Sequence, residues 1–139
     1  MGEALLEEPF INVPGKSDGD RQERSSMKLV SCVIRPESLD AVKEALNKLS
    51  GVGGMTITEV RGFGRQKGQV EHYRGGEYTI RFLSKVRVDV AVHAEDVEGV
   101  VGAISKAGRT GQVGDGKIFV FGVSDAMRIR TGERGSSAL

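Results

Sequence analysis

The sequence predicts one α+β domain whose strands and helices follow the order β-α-β-β-α-β. Two segments place apolar residues three or four positions apart, which is typical of amphipathic helices. Four other segments are short, apolar and rich in β-branched residues, which favours strands. A chain of 139 residues is long enough for one domain with a modest core.

The first half of the domain is predicted to be strand, helix, strand. Leu29–Ile34 is a short β-rich run that Pro36 ends, and Met55–Val60 forms the second strand. Ser38 can cap the helix between them, which Ser50–Gly54 ends. The apolar face of this helix consists of Leu39, Val42, Ala45, Leu46 and Leu49.

The second half repeats this order. Ile80–Val92 alternates between apolar and mostly polar residues, as a half-buried antiparallel strand does. A second helix runs from about Glu95 to Ala107, and Ile118–Val123 is the fourth strand. The apolar face of the second helix consists of Val97, Val100, Val101 and Ile104. Two such halves form a four-stranded antiparallel sheet with both helices on one face, the ferredoxin-like arrangement.

The other face of this sheet has no helix to cover it. If Val86, Val88 and Val90 point to that face, it is too apolar to remain in water. A small domain usually buries such a face by oligomerising. The pattern therefore predicts an oligomer.

Residues 1–26 are predicted to be a disordered extension, and residues 27–139 the domain, with 124–139 as its C-terminal tail. Met1–Ser26 shows no sustained periodicity and is interrupted by prolines and glycines. The extension holds six acidic and three basic residues, a net charge of −3; the whole chain carries +1, which leaves +4 on the domain. A mildly basic domain suits small anionic ligands.

Composition excludes several classes of protein. Cys32 is the only cysteine, so neither an internal disulfide nor a cysteine-based zinc site can form, and a reducing cytoplasm is expected. The longest apolar runs have the length of strands, so no membrane span is expected. An acidic N-terminus argues against a secretory signal or transit peptide. The chain has no tryptophan and few aromatic residues, which disfavours nucleic-acid binding by base stacking.

A glycine-rich turn at Thr110–Lys117 nearly matches the phosphate-binding pattern G-x-x-x-x-G-K-[ST]. Gly111, Gly116 and Lys117 are in place, but Ile118 replaces the Mg²⁺-binding hydroxyl. A strand follows the turn, whereas a P-loop needs a helix N-terminus for its phosphate. The turn is therefore interpreted as an anion-binding loop and not as part of an NTPase.

A second unusual segment is Arg61–Thr79, which is polar, basic and glycine-bearing, and too long for a plain hairpin loop. An inert disordered hairpin is one interpretation. The other is a flexible regulatory loop on which Tyr73 or Tyr78 serves for covalent modification or partner docking. Gly62 and Gly64 do not make a dinucleotide motif, because no helix follows them.

Four motifs together resemble the PII nitrogen-signalling proteins. They are RGFGRQKG at 61–68 with YRGGEY at 73–78, FLSKV at 82–86, TGQVGDGKIFVF at 110–121 and RIRTGE at 128–133. The resemblance extends from Met27 to about Glu133. It implies a homotrimer of ferredoxin-like subunits with their sheets facing inward and ATP or ADP bound between neighbouring subunits.

The resemblance also implies the nucleotide ligands. Arg128 and Arg130 reach the phosphates from the adjacent subunit, and alternation along a strand-like segment would put both guanidinium groups on one side. Lys117 supplies a point charge. The implied nucleotide-binding residues are Thr56, Gly64, Arg65, Gly114, Asp115, Gly116, Lys117, Arg128 and Arg130.

The same resemblance implies an effector site and a modification site. Gln66 would coordinate Mg²⁺, and Lys85 would pair with a carboxylate of 2-oxoglutarate. The implied 2-oxoglutarate ligands are Gln66, Lys67, Lys85 and Gly114. Tyr78 aligns with the tyrosine that is uridylylated in many bacterial relatives and adenylylated in some, while Gly76 stands where other relatives carry a phosphorylated serine.

The resemblance therefore predicts a cytoplasmic signalling protein and not an enzyme. Its expected partners are an ammonium channel, nitrogen-assimilation enzymes and a modifying nucleotidylyltransferase, with the membrane reached only through the channel. The main alternative is a divergent PII-like sensor of another small anion, such as bicarbonate, together with an adenine nucleotide. A weak ATPase and a nucleic-acid binder of the same fold are lesser alternatives.

Overall fold

The computed structural model describes residues 26–63, 70–73, 77–80 and 82–139, and it describes 70–73 and 77–80 by their backbone. Two α-helices and six strands are present in these residues. They are β1 (Met27–Ile34), α1 (Leu39–Asn47), β2 (Thr56–Gly62), β3 (Val70–Tyr73), β4 (Glu77–Ile80), β5 (Leu83–His93), α2 (Val97–Gly108) and β6 (Gly116–Val123). Neither α1 nor α2 is long and apolar enough to cross a membrane, among the residues described.

The main sheet has four antiparallel strands in the order β2-β5-β1-β6. Both helices pack against the face formed by alternate residues of β1 and β5. The α+β class and the ferredoxin-like β-α-β-β-α-β order are therefore confirmed. A separate two-stranded hairpin, β3–β4, is inserted between β2 and β5.

The hydrophobic core lies between the main sheet and the helices. Val86, Val88, Val90 and Val92 of β5 are all at most 5% exposed. They pack in one cluster with residues of β1, α1 and α2, namely Val30, Cys32, Ile34, Val42, Leu46, Val100 and Ile104. The valines of β5 thus point to the helices, and the suggestion that they make the bare face apolar is wrong.

The opposite face of the sheet is apolar for a different reason. Phe119 pairs with Ser31 and Phe121 with Leu29, so both phenylalanines lie on the face away from the core residues of β1. Phe119 is 49% exposed and Phe121 52% exposed. The bare apolar patch expected from the sequence is therefore made by β6 and not by β5.

The structure corrects several predicted boundaries. A 3-10 turn at Pro36–Ser38 precedes α1, and the Ser38 side chain makes no capping hydrogen bond. Ile80 belongs to β4, so the third strand of the main sheet begins at Leu83. Within the segment interpreted as a loop, Arg61 and Gly62 extend β2. The predicted flexibility of 61–79 also concerns residues 64–69 and 74–76, which lie outside the described residues.

The C-terminal arginines do not lie on a strand-like segment. The chain reverses after Arg128, whose carbonyl accepts a hydrogen bond from the Gly132 N–H at 2.8 Å. Residues 129–131 form a turn. The prediction that strand alternation places Arg128 and Arg130 on one side is therefore wrong.

Candidate functional site

A cavity of about 460 Å³, called the loop cavity below, opens beside the glycine-rich turn. The ends of β1, β2 and β5 form one wall, and the turn forms the other. Its lining residues are Val33, Gly62, Phe63, Leu83, Lys85 and residues 112–117. Gly114, Asp115, Gly116, Lys117 and Lys85, which the sequence singled out separately, are thus brought together.

Glycine is required in the turn by its backbone conformation. Gly111, Gly114 and Gly116 have φ values of 87°, 106° and 108°, in the left-handed region that side chains disfavour. A Cβ on Gly116 would also collide with the Val33 carbonyl oxygen of β1. The turn therefore passes close to β1 and leads directly into β6, as the sequence predicted.

Asp115 organises the turn from within. Its Oδ2 accepts hydrogen bonds from the backbone N–H of Thr110 at 2.7 Å and of Gly111 at 2.8 Å, and its Oδ1 accepts one from the Thr110 hydroxyl. These bonds from Thr110, followed by those from Gly111 and Arg35, hold the pKa of the Asp115 carboxyl well below its usual range. The carboxylate therefore stays charged at neutral pH and acts as a support of the loop.

Arg35 is a residue of this site that the sequence did not reveal. Its Nε donates to Asp115 Oδ1 at 3.2 Å, and its terminal NH2 donates to the Val113 carbonyl oxygen at 2.7 Å. The side chain is 17% exposed. The planar guanidinium thus joins the end of β1 to two points of the turn, a geometry that lysine cannot reproduce.

Lys85 approaches the turn from β5. Its Nζ donates to the Gly114 carbonyl oxygen at 2.8 Å. Burial lowers the pKa of Lys85, and the nearby Arg35 guanidinium lowers it further. An anion in the loop cavity would relieve this repulsion between the two cations.

Lys117 is the most accessible cation of the turn. It lies at the second position of β6, lines the loop cavity and is exposed. Within the part of the chain that the structure describes, its side chain makes no hydrogen bond or ion pair. An exposed ammonium group beside glycine backbone N–H groups is well suited to a phosphate.

A second cavity of about 590 Å³, called the strand cavity below, holds other predicted residues. Thr56 at the start of β2 and Arg128 both line it, together with Asp89 of β5. One Asp89 carboxylate oxygen is buried without a hydrogen-bond partner among the described residues, and the other pairs with Arg87 Nε at 3.2 Å. The strand cavity shares no lining residue with the loop cavity.

The two C-terminal arginines differ in their surroundings. The Arg128 guanidinium donates to Glu133 Oε1 at 2.8 Å and to the Leu139 carbonyl oxygen at 3.2 Å. Arg130 is exposed, as is the intervening Ile129, which is 96% exposed. Arg130 thus lies at the outer end of the turn, while Arg128 faces the strand cavity.

Four predicted ligands, Gly64, Arg65, Gln66 and Lys67, lie outside the described residues. Tyr78 lies in β4, where its backbone pairs with His72 of β3. No group of three or more His, Cys, Asp or Glu side chains that could hold a metal ion occurs in the described segments. Because Gln66 lies outside these segments, the coordination of Mg²⁺ by its side chain stays a prediction.

Comparisons with known proteins agree on one family. The family model described as Nitrogen regulatory protein P-II matches residues 27–133. Nitrogen regulatory protein P-II of Rhizobium etli is 52% identical over 113 residues, which are 81% of this chain and 100% of that protein. Nitrogen regulatory protein GlnK of Escherichia coli strain K12 is 51% identical over the same lengths.

A solved structure supports the same assignment. The crystal structure of Arabidopsis thaliana PII bound to citrate matches with a TM-score of 0.67 and 39% sequence identity. The match covers 83% of this chain and 94% of that one. Both the sequence and the backbone therefore place the chain among the same relatives.

Proposed function

Because the chain belongs to the P-II family of nitrogen regulatory proteins, we propose that it senses ATP, ADP and 2-oxoglutarate and reports them to proteins of nitrogen assimilation. Its relatives are regulatory proteins, and the proposed activity is likewise binding and not catalysis. The protein would act in the cytoplasm.

The observation that carries this proposal is the division of the predicted nucleotide ligands between two cavities. The turn and Lys117 line the loop cavity, whereas Thr56 and Arg128 line the strand cavity. In the proposed arrangement, a nucleotide contacts both sets by lying between two subunits. This arrangement supports a homotrimer in which each subunit contributes its loop cavity to one site and its strand cavity to the next.

In the proposed site, the turn binds the nucleotide phosphates. Gly114 and Gly116 allow backbone N–H groups to approach the phosphate oxygens, and Lys117 adds a point charge. Asp115 contributes through its backbone, because its carboxylate is bonded to Thr110, Gly111 and Arg35.

The neighbouring subunit supplies the other contacts. Arg128 and Arg130 would neutralise phosphate charge, and Thr56 would contact the nucleoside part. Gly64 and Arg65 complete the proposed set. Guanidinium–phosphate hydrogen bonds are short and strong because both partners are charged.

The proposed effector 2-oxoglutarate binds beside the phosphates in the loop cavity. The Lys85 ammonium group, which contacts the Gly114 carbonyl oxygen in this structure, would form an ion pair with one carboxylate of 2-oxoglutarate. Gln66, Lys67 and the backbone of Gly114 would hold the remainder of the molecule. The citrate bound by the Arabidopsis relative supports a carboxylate ligand for this family member.

Mg²⁺ would join the nucleotide to the effector. The side-chain oxygen of Gln66 is a hard donor that suits this ion, and one protein ligand is enough when phosphates and a 2-oxo acid supply the others. The ion would neutralise the charge that these anions bring together.

The proposed output is the segment 61–79, which leaves the main sheet at the rim of the loop cavity, where Gly62 and Phe63 line it. Ligands control such a segment only if they bind its conformations with different affinity. Its proposed targets are an ammonium channel and enzymes of nitrogen assimilation. Tyr78 would be the site where a nucleotidylyltransferase adds a bulky, charged group that blocks docking.

Calorimetry with single-site variants tests the nucleotide site. Lys117→Ala and Arg130→Ala should each weaken ADP binding about ten- to hundredfold, because a charge-assisted hydrogen bond contributes about 1.5–3 kcal/mol and 1.4 kcal/mol is a factor of about ten. Lys48→Ala is the matched control, since Lys48 is an exposed lysine at the end of α1 that pairs with Glu44 at 3.9 Å. Unchanged ADP affinity in both site variants would contradict the assignment.

A further inference from the structure

The C-terminal segment after β6 is closed by an ion pair between Asp125 and Arg134. Arg134 Nε donates to Asp125 Oδ2 at 3.1 Å, and a terminal NH2 of Arg134 donates to the same oxygen. The other oxygen, Oδ1, accepts the backbone N–H of Ala126 at 2.9 Å. Asp125 thus fixes the direction of the chain as it leaves β6 and holds its returning end.

The ion pair closes a short hairpin that contains both C-terminal arginines. The Gly135 N–H donates to the Ala126 carbonyl oxygen at 3.0 Å, and the Arg128 N–H donates to the Glu133 carbonyl oxygen at 2.9 Å. Met127 and Arg134 form an isolated antiparallel bridge between these bonds. The Asp125–Arg134 pair therefore lies at the open end of the hairpin, and Arg130 lies at its tip.

Apolar packing contributes little to the order of this hairpin. Met127 is 54% exposed and Ile129 is 96% exposed. Its conformation instead depends on a few backbone hydrogen bonds and on ion pairs of charged side chains. Segments of this kind open locally at low cost in free energy, without unfolding the domain.

We propose that Asp125 and Arg134 are positioning residues, whose ion pair holds Arg128 and Arg130 in the geometry that receives nucleotide phosphates. This inference rests on the proposed function. The pair acts through the hairpin, because Asp125 also accepts the Ala126 N–H and Arg134 forms the backbone bridge with Met127. A binding loop that is already ordered loses less entropy when its ligand arrives, and its affinity is higher for that reason.

The ion pair is suited to this local role. The Arg134 side chain is 50% exposed and the Asp125 side chain 26% exposed. Exposed ion pairs add little to the stability of a whole domain. Loss of the pair should therefore weaken nucleotide binding measurably and leave the melting temperature almost unchanged.

The test uses the assembled full-length protein and ADP as the probe. Arg134→Gln removes the cation, and Asp125→Asn removes the negative charge while keeping an oxygen that can accept the Ala126 N–H. Each variant should weaken ADP binding about three- to tenfold, because the hairpin has to be ordered on binding. The melting temperature should change by no more than about 2 °C, as expected for an exposed pair.

Two controls separate positioning from other roles. The double variant, Asp125→Asn with Arg134→Gln, should weaken ADP binding no more than either single variant, because both substitutions remove the same ion pair. Lys48→Gln breaks a different exposed pair, Lys48–Glu44 at the end of α1, and should leave ADP affinity unchanged.

The possible outcomes are distinguishable. Failure of the unaltered protein to bind ADP contradicts the proposed function itself. Normal ADP binding that Arg134→Gln does not weaken overturns the positioning role alone. A double variant whose loss of affinity is the full product of the two single losses also overturns it, since Arg134 would then act on the nucleotide independently of Asp125.

Discussion

Two charged residues of the glycine-rich turn have different roles. Lys117 is exposed and faces the cavity, whereas the Asp115 carboxylate accepts hydrogen bonds from within the turn. The motif alone predicts that both residues bind the nucleotide directly. The geometry instead makes Asp115 the support of the backbone from which Gly114 and Gly116 would bind phosphate.

Asp115 provides a prediction for the pH dependence of the turn. Its pKa is depressed in the folded state, so its stabilising contribution is present above the unfolded value, about 3.9, and is lost as pH falls through the lower folded value. The amide signals of Thr110 and Gly111 in nuclear magnetic resonance spectra should therefore titrate with a midpoint below about 3.9.

The variant Asp115→Asn is the control for this titration, because it removes the titrating group and should abolish the transition at both amides. A midpoint at or above the ordinary aspartate value would show that the hydrogen bonds to Asp115 do not hold the turn.

Arg35 shows what residue-level sequence reasoning misses. It precedes Pro36 at the end of a strand and resembles an ordinary surface arginine in the sequence. Its partners, Val113 and Asp115, are 78 and 80 positions away. Only the pairing of β1 with β6 brings them together, so no local pattern could have revealed the contact.

At the scale of elements, the entry into β6 depends on Gly116. Gly116 combines a φ of 108° with close contact to the Val33 carbonyl oxygen. Gly116→Ala should lower the free energy of unfolding by about 2 kcal/mol or more, because strained backbone alone costs about 1–3 kcal/mol. Denaturant unfolding measures this change.

A second glycine provides the matched control. Gly102 lies within α2, and a Cβ there would meet no atom within 4 Å. Gly102→Ala should raise the free energy of unfolding by about 0.5–1 kcal/mol, because glycine in a helix interior is less favourable than alanine. Equal effects of the two substitutions would contradict the structural role of Gly116.

Most elements could be predicted from the sequence because their apolar spacing is strong. Both helices and all four strands of the main sheet were expected, with ends that differ by a few residues. The orientation of β5 could not be predicted, because alternation gives two faces without saying which one meets the helices. Ile80 was assigned to the wrong strand because an apolar residue fits either β4 or β5.

The site could be predicted only in part, for similar reasons. Motifs identified the turn, Lys85 and the C-terminal arginines, but not the reversal of the chain after Arg128. That reversal depends on contacts with Gly132, Glu133 and Arg134. Such contacts follow from the whole segment and not from the spacing of two arginines.

At the scale of the whole molecule, the bare face of the sheet predicts assembly. Phe119 and Phe121 are about half exposed on the face away from the helices, and aromatic side chains stabilise interfaces strongly when buried. Sedimentation equilibrium should give a mass three times the 14.9 kDa of the chain. Phe121→Asp should shift this mass towards that of one subunit.

The neighbouring residue on β6 provides the control for assembly. Val120 is 47% exposed and lies on the other face of the strand, so Val120→Asp should leave the trimer intact. A Phe121→Asp variant that stays trimeric would show that this face is not the interface.

In the proposed function, one cleft couples nucleotide to 2-oxoglutarate through Mg²⁺. Calorimetry of 2-oxoglutarate binding, with and without Mg-ATP, tests this coupling most directly. We expect 2-oxoglutarate to bind much more tightly when Mg-ATP is present. Gln66→Ala should abolish that gain while leaving ADP binding largely intact. Binding of 2-oxoglutarate that is equally tight without Mg-ATP, or absent in both cases, would contradict the account.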